Sequence, residues 1–123
     1  MGAIEEKSFT FAVEVVNVVK EVRERHREYD LTRQLLRSGT SIGANASEAK
    51  GAQSTKDFIA KLSIASKEAH ETRYWVRLLC ATGYLEERRG EELLRKAEEL
   101  VRMLTSSVKT LQEKETQDSK LKT

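Results

Sequence analysis

Apolar residues return along most of this chain at steps of three, four and seven, the spacing of helices that pack by one face. Phe11, Val15, Val18, Val22 and Tyr29, with Ala12 and Val19 beside them, mark a first helix over about Glu6 to Glu28. Its valines favour strands locally, so this helix depends on packing more than on propensity. Asp30 is a suitable N-cap for a second helix over about Leu31 to Lys50, with Leu31, Leu35, Ser38, Ile42, Asn45 and Ala49 as its seam. Ser54 can cap the amide of Asp57 and open a third helix, whose inward stripe is Phe58, Leu62, Ala65, Ala69, Thr72, Val76 and Leu79. Gly83 is a natural left-handed stop for it. A fourth helix starts between Leu85 and Glu91 and follows Leu93, Ala97, Leu100, Val101, Leu104, Val108 and Leu111 to about Lys114. Short connections make successive helices antiparallel neighbours. The predicted fold is all-α: an antiparallel up-down-up-down four-helix bundle, one domain over residues 1–114, with a polar tail at 115–123 expected to be disordered.

Two features exceed what a lone bundle needs. In the second helix Gly39, Gly43, Ser47 and Gly51 form a file of small residues at four-residue spacing. A mid-helix glycine costs about 1 kcal/mol against alanine, so two of them point to a close backbone approach by another helix. Beside that file stand Arg37, Ser41, Asn45 and Glu48, which the spacing allows to form a hydrogen-bonded cluster fixing helix register or subunit geometry. In the third helix Ile64, Tyr74, Trp75 and Leu78 make a second apolar group round from the core stripe. One bundle uses one stripe per helix, so these residues are expected in a subunit interface or under a neighbouring helix.

Composition narrows the chemistry. The chain has 123 residues, 34% of them charged, no proline, and a net charge of +2 from 22 basic and 20 acidic residues. That is a helix-rich balance without the strong basic excess of a dedicated nucleic-acid module. No apolar run approaches the ~20 residues of a membrane span. The acidic start Glu5-Glu6 suits neither a signal peptide nor a myristoylation signal, and Cys80 is the single cysteine, so a cytoplasmic location is expected. His26 follows Arg23 by three residues and His70 follows Lys67, so neither completes the Glu-x-x-His pair of a di-iron bundle, and zinc spacing is absent. Cys80 reads as a packed thiol among Leu78, Leu79 and Ala81. Glu68 and Glu71 read as a solvated or salt-bridged pair rather than an acid–base pair. No catalytic residue, metal ligand, cofactor or small-molecule substrate is expected.

The run Gln34-Leu35-Leu36-Arg37-Ser38-Gly39-Thr40-Ser41-Ile42-Gly43-Ala44-Asn45 with Glu48-Ala49, then Asp57-Phe58-Ile59-Ala60-Lys61-Leu62-Ser63-Ile64-Ala65, Lys67 through Trp75, Arg77-Leu78-Leu79 and Gly83-Tyr84-Leu85, resembles the bacterial four helix bundle protein family. Its members are also called 23S rRNA intervening-sequence proteins. The resemblance covers about residues 8 to 114. One departure is Gly43, in a segment where many members carry proline. The resemblance implies homopentameric barrels, and a distant relative binds a reverse transcriptase and nucleic acid. It therefore suggests a homo-oligomeric scaffold for RNA, DNA or a nucleic-acid enzyme, with a protein–protein adapter as the alternative. Candidate phosphate contacts are Arg33 on the second helix and Lys56, Lys61, Lys67, Arg73 and Arg77 on the third.

Overall fold

The computed structural model describes residues 2–121. It contains four helices: α1 Gly2–His26, α2 Asp30–Lys50, α3 Thr55–Ala81 and α4 Glu87–Leu121. The backbones of α1 and α2, α2 and α3, α3 and α4, and α4 and α1 run close together, while neither diagonal pair does among the described residues. The direction of each neighbour follows from side chains that meet across it. Gly39 faces Val15 while Gly43 faces Ser8. Ser38 meets Thr72, and Glu48 meets Lys61. Cys80 faces Gly90, and Ser66 meets Thr105. Arg89 pairs with Glu21, and Lys7 with Glu99. In every pair one number rises as the other falls, so all four contacts are antiparallel and the bundle runs up-down-up-down.

The predicted stripes form the core. Val15, Val18, Leu35, Ile42, Leu62, Val76, Leu79, Leu93, Leu100 and Leu104 are fully or almost fully buried. Each large aliphatic side chain withdrawn in this way contributes about 1.5–3 kcal/mol, which carries the valine-rich α1 past its poor helix propensity. Ser54 caps α3 as expected, its hydroxyl accepting from Asp57 N–H at 3.1 Å. Gly83, at φ +82°, ends α3, with Tyr84 N–H donating to Leu79 C=O.

Three local expectations are corrected. Asp30 does not cap α2; it is the first helical residue, and the Glu28 carboxylate accepts from the N–H groups of Asp30, Leu31 and Thr32 at 2.9–3.1 Å. A glutamate two residues ahead of the helix has the reach to span three orphan amides, which a short aspartate inside the first turn lacks. Tyr29 lies outside α1 and is exposed, its ring 5.6 Å from the Arg23 guanidinium, because the chain has already turned at Arg27. The polar segment after Lys114 continues as helix to Leu121, with residues 122–123 outside the described part. It holds no glycine or proline, and a formed helix extends through Glu, Gln and Lys residues without a new nucleation cost.

Candidate functional site

Between α2 and its neighbours the packing is set by small residues. A Cβ at Gly39 would lie 2.9 Å from both methyls of Val15, and one at Gly43 would lie 3.3 Å from the Ser8 carbonyl oxygen. Gly39 and Gly43 are therefore a close approach, and the helix they admit is α1; the other two members of the file take no part, Ser47 being exposed and Gly51 lying past the end of α2. On the other side, buried Thr72 donates to Glu68 C=O at 2.7 Å and shares a hydroxyl–hydroxyl hydrogen bond with Ser38 Oγ at 2.9 Å. This pins α2 to α3 at a single register inside an apolar core, where an unpaired hydroxyl would be costly. At the surface edge of that seam Arg37 pairs with Glu68 at 3.2 Å and with Glu71, and Glu71 also accepts from Trp75 Nε1 at 3.0 Å. Glu68 and Glu71 are thus the salt-bridged pair that their spacing suggested.

The cluster expected from Arg37, Ser41, Asn45 and Glu48 does not close on itself. Ser41 Oγ donates to the Arg37 carbonyl and Asn45 Nδ2 to the Ser41 carbonyl, both within α2. Arg37 and Glu48 instead reach α3, the latter through Lys61 at 3.1 Å. Their shared face of α2 flanks α3 along its length, so the nearest charged partners lie across the seam rather than along the helix.

The second apolar group on α3 is at the surface. Ile64 and Tyr74 are exposed by 42% and 56%, and Trp75 and Leu78 are half-buried. A matching patch on α1 was not anticipated from the sequence: Phe9, 70% exposed, with exposed Val13 and half-buried Val16 one and two turns on. Its signal was present as an i, i+4, i+7 file, hidden because the neighbouring core stripe used the same residue types. Because α1 and α3 are diagonal, these two apolar faces point away from each other at opposite corners.

The six basic candidates do not form one surface. Arg33 pairs with Asp30 at 3.4 Å in its own helix, Lys61 is held by Glu48, and Arg73 approaches His70 Nδ1 at 3.3 Å. Among the described residues Lys56, Lys67 and Arg77 are exposed without an ion pair, and they share the outer side of α3 with Ile64 and Tyr74. The charges of α4 reach outside that helix as well as along it. Lys96–Glu92 is internal, but Lys96 also holds Glu14, Arg89 holds Glu21, and Glu99 holds Lys7, all across to α1. The hydrogen bonds that the Lys96 ammonium donates to Glu14 and Glu92 raise its pKa above the usual range.

Among the described residues no three His, Cys, Asp or Glu side chains gather as a metal site. His26 closes α1, where its ring meets Tyr84 edge-on at 5.3 Å beside an open depression of about 600 Å³ rimmed by Glu21, Glu24, Arg25 and Arg89. The Cys80 thiol packs against Gly90, and burial together with Glu91 raises its pKa, so the reactive thiolate is disfavoured. No helix among the described residues is long and apolar enough to cross a membrane.

These observations define a class: an antiparallel four-helix bundle whose distinctive residues lie in helix–helix approaches and on outer faces. The sequence matches the 23S rRNA-intervening sequence protein family over residues 3–106, and the chain belongs to that family. It is similar to a protein of unknown function from the S23 ribosomal protein family of Bacteroides thetaiotaomicron, known from a crystal structure. The two share 45% identity at a TM-score of 0.84, covering 86% of this chain and 98% of that one. No match was found among curated proteins.

Proposed function

We propose that this chain is a non-enzymatic, homo-oligomeric scaffold that acts by holding a nucleic acid or a nucleic-acid-processing partner. The observation that carries the self-association is the pair of exposed apolar faces on opposite corners, Phe9 and Val13 on α1 and Ile64 and Tyr74 on α3. Exposed aromatic and aliphatic groups in such patches are characteristic of interfaces. Two different faces on one chain join head to tail, and such contacts give a ring where the rotation between subunits closes, of which the pentamer implied by the family resemblance is one. The nucleic-acid half of the reading is supported only by the family's name, which refers to an intervening sequence of 23S rRNA.

Light scattering on the full chain should give several times 14.0 kDa. Phe9→Glu and Tyr74→Glu should each break the assembly while leaving the helical circular dichroism intact. Mixed together, the two variants should form a dimer, because each keeps the face the other has lost. A wild-type monomer at micromolar concentration would overturn the oligomer.

A further inference from the structure

We infer that the outer face of α4 is a docking surface for the phosphate backbone of duplex nucleic acid, carried by Arg88, Arg95, Arg102 and Lys109. The inference rests on the nucleic-acid half of the reading above and assigns it to a helix which the six candidate bases do not include.

These four residues stand at every seventh position of α4, and all are exposed. Residues seven apart lie on one side of a helix, so the bases form a row of steps of ~10 Å, about 30 Å in all at 1.5 Å rise per residue. Among the described residues none of the four has an ion-pair partner, in a chain where Lys7, Arg33, Arg37, Lys50, Lys61, Arg89 and Lys96 all do. On the α1 side of the row Glu92 pairs with Lys96 and Glu99 with Lys7, while Glu113, one turn beyond Lys109, has no ion pair among the described residues. Glu91 and Glu98 remain on the α3 side, Glu91 close enough to Cys80 to act on its thiol. Four free bases thus stand beside three free acids, Glu91, Glu98 and Glu113, which leaves the row a small positive excess in a chain that is nearly neutral overall.

The choice of duplex follows from shape. The bases are fixed on a rigid helix, and a duplex is straight over such a length, its persistence length being ~50 nm. Single strands are held by stacking on aromatic side chains, and the row contains none. Three of the four bases are arginines, whose planar fork suits a phosphate. Position matters as well. The apolar faces occupy the α1 and α3 corners, so the α4 corner stays uncovered in the proposed oligomer and recurs in each subunit, where weak contacts add through avidity.

The test is fluorescence anisotropy of the full-length chain with duplex DNA, duplex RNA and single strands of about 25 nucleotides, longer than one ~34 Å helical turn of DNA. Wild type should bind a duplex more tightly than a single strand, and log affinity should fall with log salt by ~0.9 for each phosphate contacted. Arg95→Glu with Arg102→Glu should weaken duplex binding by about tenfold or more and cut the slope by about 2, with oligomer mass and helicity unchanged. Arg95→Lys with Arg102→Lys should retain most of the binding. Preference for single strands would overturn the inference. So would an α4 reversal without effect where Lys67→Glu with Arg77→Glu abolishes binding, although the nucleic-acid reading would then survive on α3. Failure of wild type to bind any of the three at low salt would remove both.

Discussion

Gly39 and Gly43 sit four residues apart on α2 and meet different atoms of α1, so they should not respond alike. At Gly39 the obstacle is the pair of Val15 methyls, 2.9 Å from where a Cβ would stand, on a fully buried and stiff side chain. Gly39→Ala should therefore lower stability despite a propensity gain of about 1 kcal/mol, since overpacking costs about 1–3 kcal/mol. Adding Val15→Ala should recover part of that loss, giving a non-additive double mutant in chemical denaturation. At Gly43 the nearest atom is backbone, the Ser8 carbonyl oxygen, which the helix cannot move aside alone. Gly43→Leu should cost about 1–3 kcal/mol, and a rise in melting temperature would contradict the close approach. The file of small residues was legible from its spacing. Its partner was not, because glycine leaves no trace of which helix fills the space.

The turn between α1 and α2 shows how an element boundary is made. Arg27 adopts φ +53°, the left-handed conformation that side-chain-bearing residues rarely take, and its N–H donates to Arg23 C=O at 2.9 Å. Glu28 then collects the first amides of α2, and Thr32 is held between Glu28 C=O and Arg23 Nε. Arg27→Gly should stabilise the protein by about 0.5–1 kcal/mol by relieving the left-handed strain. Glu28→Ala should cost about 1 kcal/mol, as loss of a capping side chain does, whereas Asp30→Ala should cost less. Thermal denaturation of the three variants checks the order. The sequence pointed to a turn here through its short connection, but it favoured Asp30 as cap, because local rules weigh the residue beside the helix and not a carboxylate reaching in from outside.

At the scale of the whole molecule the four seams are unequal. α2–α3 and α3–α4 are extensive, whereas α1 and α4 approach least closely and are joined by Lys7–Glu99, Lys96–Glu14 and Arg89–Glu21. Partly exposed ion pairs contribute about 0–1 kcal/mol each and weaken with salt. Hydrogen exchange should therefore find the outward amides of α1 less protected in about 0.5 M salt than at low ionic strength, where the Debye length exceeds ~10 Å, with α2 and α3 little changed. Lys96→Met, which removes the Lys96–Glu14 pair and leaves Lys7–Glu99 and Arg89–Glu21 in place, should remove about a third of that salt dependence. An equal response in all four helices would show that the seam is held by its apolar contacts.

The helices, their order and their inward stripes followed from the sequence alone, because a core position leaves a period in the chain and every helix here has one. Ser54 and Gly83 were legible for the same local reason: a cap and a left-handed stop act within a few residues. What tertiary structure decided is who meets whom. It placed Val15 and Ser8 against the glycines, sent Arg37 and Glu48 across to α3, and set the apolar files of α1 and α3 on opposite corners. It also separated the paired bases from the unpaired row on α4. Periodicity reports which side of a helix is apolar, but an ion pair depends on distance between helices, and that distance exists only once the bundle has closed.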